Sequence, residues 1–337
     1  MARSKPGWSS GLDRPIYAET GSDSAFWFSP DAEALFAAEG ILRASPFGLL
    51  KTVVGGDGME RYRHKYRLAA EIYAAFADGA ALPSIFECLQ GFDLRCFTLA
   101  SFREHCISFG DGELPGMLLD KPGCCMEELA GGEQGMFNSY LGASAYFSHT
   151  REFVESIFSL AGELRTDAFF YTLDRYRAKI EGAKENTIEA LSAMAPLEFS
   201  DALMRKKMWR RGPYSFYAFA PTVFSDRRAV RYFKTEQYVF FAVQDAVYDN
   251  EHMLKQLKAL ADDTRFRIVA LLKERGGLQG SDIAHIMGIS ASTVSHHMKV
   301  LREAGLMHEE MDGATKFYSL PTNITQAVTG ALAEFLP

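Results

Sequence analysis

Along most of this chain apolar side chains return every three or four positions, the period of an amphipathic helix, and in a few stretches the period shortens to two. Near the C-terminus Ile283, Ile286 and Met287 put an apolar stripe on one short helix. Val294, Met298 and Leu301 recur at i, i+4 and i+7 on a second. Gly288 between them allows a turn that a Cβ would oppose, and Ser290 is a good N-cap for the helix that follows. Upstream, residues 254–272 give two more amphipathic helices. The core face of the second runs through Phe266, Val269 and Leu272, or through Ile268, Leu271 and Leu272. Downstream, residues 306–310 and 315–320 read as strands around Met311-Asp312-Gly313-Ala314, and Asp-Gly is a strong hairpin signal. Helices, a helix-turn-helix and a hairpin in that order predict a winged helix.

Ahead of it lies a segment too long to be a decoration. An alanine-rich helix over residues 32–42 enters through Ser29-Pro30. A longer one spans 60–78, with Tyr62, Tyr66, Ala69, Tyr73 and Phe76 at spacings of four and three. Residues 83–90 and 101–109 read as shorter helical pieces, and 151–164 and 167–180 as helices with wide apolar faces. Another helix over 185–194 stops at Ala195-Pro196. The texture then changes: 214–220 and 229–243 are aromatic, β-branched and partly alternating, which predicts strands closing the domain. The fold class is therefore α+β, mainly α: a mostly helical N-terminal domain with a few strands, then a C-terminal winged helix-turn-helix. A length of 337 residues agrees with about two domains. The plan is a polar tail over 1–23, an effector-sensing domain over 24–246, and a DNA-binding and dimerisation domain over 247–337.

The polar face of the second helix of the helix-turn-helix carries the chemistry. Ser292, Thr293, Ser295, His296 and Lys299 are short donors and acceptors plus one cation. A helix-turn-helix sets the first residues of its second helix against base edges in the major groove, where such side chains can hydrogen-bond. His297 reads as the packed neighbour of His296. Ser290 and Arg302 join the row as DNA-binding candidates, and Lys299 and the wing residue Lys316 are placed to hold phosphates. The net charge of −7 excludes a protein that coats nucleic acid generally. It leaves room for site-specific binding by a local basic stripe, provided Arg265, Arg267, Lys299, Arg302 and Lys316 sort onto one face.

Three pieces of this region resemble the ArsR family of bacterial repressors: Leu-Lys-Ala-Leu-Ala-Asp-Asp-Thr-Arg-Phe-Arg-Ile (257–268), Ser-Thr-Val-Ser-His-His-Met-Lys-Val-Leu-Arg-Glu-Ala-Gly-Leu (292–306) and Lys-Phe-Tyr-Ser-Leu (316–320). The resemblance implies a homodimer that binds a short inverted repeat in double-stranded DNA and releases it when a signal arrives. Two apolar stripes lack a partner inside so small a domain: Leu254, Leu257 and Leu260 on one, Ile324, Val328, Leu332 and Phe335 on the other. They are expected to pair across a twofold axis. The family's usual metal sites look absent. The first helix of the helix-turn-helix has no cysteine, and the last helix has no histidine or carboxylate pair. Some longer ArsR-like repressors carry a domain of this size ahead of the winged helix, and residues 28–35 and 203–221 look similar to that group.

Composition sharpens the picture of the front domain. Of 26 phenylalanines, 3 tryptophans and 14 tyrosines, only Phe266, Phe317, Tyr318 and Phe335 lie after residue 250. Such a surplus of rings suits both a cavity for an apolar ligand and a well-packed core. All five cysteines, Cys88, Cys96, Cys106, Cys124 and Cys125, fall there too. The vicinal Cys124 and Cys125 are the metal candidates, which keeps a metal- or redox-responsive regulator as the alternative. Their spacing matches no zinc pattern, and a buried inert thiol is the commoner fate. Two basic clusters, Arg205-Lys206-Lys207 with Arg210-Arg211, and Arg227-Arg228 with Arg231, could hold DNA phosphate beside the operator or an anionic effector, but read first as solvated helix ends. No G-x-S-x-G, P-loop, H-E-x-x-H or dinucleotide fingerprint occurs, so no enzyme is expected and no cofactor is named. An enzyme domain fused to a DNA-binding domain is the runner-up. No apolar run reaches the ~20 residues of a membrane span, and residues 1–23 lack the apolar core of a signal peptide. A cytoplasmic protein with no membrane partner is expected. With no glycine or proline between Val239 and Leu272, the segment from 238–243 into a helix near Glu251 would join the two domains mechanically.

Overall fold

In this computed structural model the described residues are 14–45, 48–77, 80–130, 135–204, 212–225, 229–243, 256–304, 306–312 and 315–320. They divide into two units: Met1–Pro196 with Tyr214–Val243, and Leu197–Pro213 with Gln244–Pro337. The chain is α+β and mainly helical, as the hydrophobic periods predict.

The first unit is built around one helix. Strands β1 (Ile16–Glu19) and β2 (Ser24–Phe28) form an antiparallel pair, and Ser29 then caps α1 (Pro30–Leu42), its side chain accepting from the Ala32 N–H. Proline at the first helical position and Asp31 and Glu33 in the first turn complete a strong start. Every residue of α1 except Asp31 is buried, so this helix is core on all sides. Around it come α2 (Gly48–Val54), α3 (Gly58–Lys65), α4 (Arg67–Ala74), a 3-10 turn at Ile85–Leu89, α5 (Leu99–Ser108), α6 (Leu114–Leu118) and α7 (Met126–Ala130). The long α8 (Tyr140–Leu164), α9 (Asp167–Arg175) and α10 (Arg177–Ala193) follow. Strands β3 (Tyr217–Thr222), β4 (Ala229–Phe233) and β5 (Gln237–Ala242) then close a five-stranded sheet of order β1-β2-β3-β5-β4. β3 runs parallel to both β2 and β5, while β4 is antiparallel to β5.

Several expectations for this unit change. The polar tail foreseen through Asp23 enters the sheet at Ile16, because Ile16, Tyr17 and Ala18 pair with Phe28, Trp27 and Phe26. The single helix foreseen over 60–78 breaks at Tyr66 (φ −105°, ψ 46°). There the Lys65 ammonium and the Tyr66 hydroxyl both donate to Glu163 of α8, at 2.5 and 2.6 Å. The two helices foreseen over 167–180 and 185–194 are redistributed, with the break at Tyr176. Much of the aromatic surplus is core. Trp27 meets Phe97 and Phe240 edge-on at 4.9 and 6.1 Å, and Phe36 stacks on Phe86 at 4.1 Å.

In the second unit the chain is helical at residues 256–260 and again in α12 (Asp263–Arg275), which follows α11 (Pro196–Met204) in the numbering. The strand β6 (Leu278–Gln279) leads into α13 (Gly280–Met287) and α14 (Ala291–Glu303), and then into β7 (His308–Asp312) and β8 (Thr315–Ser319). The sheet order is β6-β8-β7, and the register sets Asp312 opposite Thr315, a hairpin with two residues between. Its core is aliphatic, made by Ile268, Leu272, Ile283, Val294, Met298, Leu301, Leu306 and Met307, with Tyr318 as the one ring among the buried residues described. Of the two faces offered for α12, the chain uses the one through Ile268 and Leu272. Phe266 is 60% exposed, and on α13 Ile286 is 48% exposed. The expected junction at 247–251, the joining segment beyond Val243, the basic residues of 205–211 and 227–228, and Leu254, Ile324, Val328, Leu332 and Phe335 lie outside the described residues.

Candidate nucleic-acid interface

α13 ends at Gly288, whose φ of 65° and ψ of 33° lie in the left-handed region that favours glycine. Two residues later Ser290 caps α14, its Oγ accepting from the Thr293 N–H at 3.1 Å. The same hydroxyl lies 2.8 Å from Ser292 Oγ and 2.7 Å from Thr293 Oγ1. Ser290, foreseen as a DNA contact, is thus engaged locally, where it fixes the first turn of the helix. Val294, Met298 and Leu301 hold the inner face of α14 against the core. That orientation leaves Ser292, Thr293, Ser295, His296, Lys299 and Arg302 exposed. Ser295, Lys299 and Arg302 follow at i, i+4 and i+7 and share one helix face.

His297 lies beside this row but turns inward, with its side chain 12% exposed and its Nδ1 3.8 Å from Asp262. Burial pushes its pKa below the usual histidine range, with the charges of Arg265 and His296 adding to the effect against Asp262. Asp262 is itself the N-cap of α12, accepting from the Arg265 N–H at 2.9 Å. The reading of His296 as the exposed member and His297 as its packed neighbour matches these positions.

The foreseen phosphate ligand Lys316 and the foreseen DNA contact Arg302 are not free. Arg302 donates to one oxygen of Glu309 at 2.6 Å, and the Lys316 ammonium lies 3.1 Å from the other. Glu309 is 19% exposed. Burial would raise its pKa, but the hydrogen bond from Lys316 and the charge of Arg302 outweigh that and hold it below the ordinary carboxylate value. Sequence reasoning passed over Glu309. The signal was there: it falls on the first strand of the predicted hairpin, within a diagonal step of Lys316.

The remaining candidates separate. Leu257 is half-buried. Cys124 is half-buried and Cys125 exposed. Burial raises the pKa of the Cys124 thiol, with Glu128 adding to it, which disfavours the thiolate that metals and oxidants need. Among the described residues no group of three or more His, Cys, Asp or Glu side chains could hold a metal ion. Nor is any described helix long and apolar enough to cross a membrane. In the first unit a groove of about 550 Å³ opens where α8 kinks at His149 (φ −122°, ψ 20°). Tyr66, Asp111, Phe147, Arg151 and Glu155 line it, and Arg151 is fixed by Asp111 at 2.7 Å and by the carbonyl of Ile107 at 2.9 Å.

Three helices, the capped second helix of a helix-turn-helix and a hairpin wing define a winged helix-turn-helix. A family model described as a helix-turn-helix domain matches residues 260–310. The transcriptional repressor SdpR of Bacillus subtilis is 34% identical over 79 residues, 23% of this chain and 87% of SdpR. The arsenical resistance operon repressor of the same organism is 34% identical over 82 residues, 24% of this chain and 75% of that repressor. The cadmium resistance transcriptional regulatory protein CadC homolog of Staphylococcus aureus is 39% identical over 66 residues, 20% of this chain, which spans about half (54%) of that protein's length. A solved structure described as a possible transcriptional regulator for arsenical resistance is 31% identical, covering 25% of this chain and 85% of that one, with a TM-score of 0.23. The chain belongs to the ArsR family of helix-turn-helix regulators.

Proposed function

We propose that this protein is a cytoplasmic transcriptional repressor that holds a double-stranded operator through α14 and the wing. The observation that carries this reading is the exposed row Ser292, Thr293, Ser295, His296 and Lys299 on a helix whose start is fixed by Ser290 and Gly288. Short hydroxyls and an imidazole there can reach base edges, while Lys299 holds phosphate. Two similar proteins, SdpR and the arsenical resistance operon repressor, are repressors by name, which supports repression here. The active species is a homodimer on an inverted repeat, its recognition helices about 34–36 Å apart, one turn of DNA. The N-terminal unit takes a small-molecule effector that changes operator occupancy. The groove at the α8 kink supports that role, since its volume is within the range of small-molecule sites, roughly 300–1,000 Å³. Selection of an operator from random duplex DNA by the full chain, followed by the double variant Ser295→Ala, His296→Ala, tests the reading. Losing these base contacts should weaken operator binding by about 1–3 kcal/mol per contact and relax specificity. Wild-type affinity and selectivity in the double variant would sink the assignment.

A further inference from the structure

Arg302 ends the DNA-facing row of α14, and Lys316 stands on the wing strand β8. Between them Glu309 offers one carboxylate oxygen to each, at 2.6 and 3.1 Å. Its charge thus sits beside Arg302, the last residue of the helix row that carries Ser295 and Lys299. Lys299 is exposed and has no ion pair among the described residues. The three cations foreseen against DNA are therefore unlike one another: Lys299 stands open, and Arg302 and Lys316 are occupied. We infer that Glu309 is a specificity-determining residue, which withholds Arg302 and Lys316 from the phosphates of random DNA and yields them only where α14 also fits the base edges. The inference rests on the DNA-binding reading above.

Affinity for random duplex is almost wholly electrostatic, and each phosphate neutralised adds about 0.9 to the slope of log affinity against log salt. A cation already shared with a carboxylate releases less than that, and the carboxylate repels the backbone besides. An operator adds base contacts to the balance, and these offset the opening of the network. Arg302 has five N–H donors and Lys316 three, so both can turn to phosphate once Glu309 lets go.

The experiment measures binding of the full-length chain to random-sequence duplex and to its selected operator across a salt series. Glu309→Gln keeps the side chain's shape and removes its charge. Its slope on random DNA should steepen by about one to two units per protomer, with tighter binding at low salt, as one or both cations of each chain reach phosphate. Operator affinity should rise by a smaller factor, so the ratio of operator to random affinity falls several-fold. Removing Arg302 should flatten the slope more in the Glu309→Gln background than in wild type, a coupling that a merely structural ion pair does not produce. If Glu309→Gln fails to fold, single variants decide: Lys299→Ala should flatten the random-DNA slope by about one unit per protomer, and Arg302→Ala by clearly less. An unchanged slope in a folded Glu309→Gln, or equal losses from Lys299→Ala and Arg302→Ala, overturns the inference and leaves DNA binding standing. A wild-type chain that binds no DNA overturns both.

Discussion

In the N-terminal unit two carboxylates lie inside, on the central helix α1. In the C-terminal unit every charged side chain of the recognition helix α14 points outward. Glu33 is 2% exposed and accepts the N–H groups of Val223 and Phe224 at 2.9 and 2.8 Å, more than 180 positions away in the chain. Glu39 is 1% exposed and accepts from Ser84 Oγ and the Ile85 N–H. A carboxyl group taken from water needs such donors to offset the desolvation. Here the donors belong to distant segments, so each acid ties the helix to the end of β3 or to the 3-10 turn. The cores differ in the same sense. Large rings, Trp27, Phe36, Phe86 and Phe102 among them, fill the first, and aliphatic side chains with one tyrosine fill the second. The first unit buries these acids within its own fold, and α14 keeps its polar row on the surface.

The largest effect should come from the ring core. Trp27→Ala removes a side chain 1% exposed whose edge contacts reach Phe97 and Phe240, and should destabilise the chain by about 3–5 kcal/mol. Ser292→Ala, on the open face of α14, should stay within about 0.5 kcal/mol. Denaturant titration followed by circular dichroism checks both. A similar loss at the two sites would end the contrast.

The two units should also answer pH with opposite signs. Burial, opposed by the two backbone hydrogen bonds, raises the Glu33 pKa to about 8. Its unfolded value is near 4.5, so the folded state binds the proton more tightly. The stability this group contributes is full below about pH 4.5 and is lost as pH rises through about 8. Glu87, also raised to about 8 by burial first and by Asp120 next, acts in the same direction. For His297 the folded pKa is depressed, so its contribution is present above about pH 6.5 and is lost as pH falls below that. Unfolding free energy measured from about pH 5 to 9 should decline less steeply toward high pH in Glu33→Gln than in wild type, by up to a few kcal/mol across the window. Parallel curves would show that Glu33 folds as the anion.

What could be read from the sequence follows the same division. The winged helix was legible because its elements are short, amphipathic on one side only, and punctuated by Gly288 and Ser290. Periodicity alone places Val294, Met298 and Leu301 inside. The N-terminal sheet was half legible. β5 and β4 show aromatic and β-branched texture, but β2, Ser-Ala-Phe-Trp-Phe, is buried along its whole length and has no alternation to detect. The break at Tyr66 was invisible, since its partner there, Glu163, lies nearly a hundred residues later in the chain. Phe266 misled for a related reason: a large apolar residue at helical spacing reads as core, yet it stands 60% exposed. In the site, the exposed row was legible and its electrostatics were not. Charge counting treats Arg302 and Lys316 as free cations, and only the hairpin register brings Glu309 between them.

The smallest effect tests whether α14 separates folding from binding as sharply as the comparison implies. Ser290→Ala removes the cap that satisfies the Thr293 N–H and should cost about 1 kcal/mol, whereas Ser290→Gly should cost a few tenths. Ser290→Asp is the informative variant. Aspartate caps as well as serine, and its charge suits the positive end of the helix by about 0.3–1 kcal/mol, so the melting temperature should hold or rise. The same charge would face the phosphate backbone at the start of the recognition helix, and operator affinity should fall about tenfold or more, with the loss greatest at low salt. Thermal melts and a salt series on the selected operator read the two quantities separately. Stability and affinity falling together in Ser290→Asp would mean that the helix start is strained by the change. Affinity held while stability rises would mean that this end of α14 points away from DNA, and the assignment of Ser292 and Ser295 to base edges would fall with it.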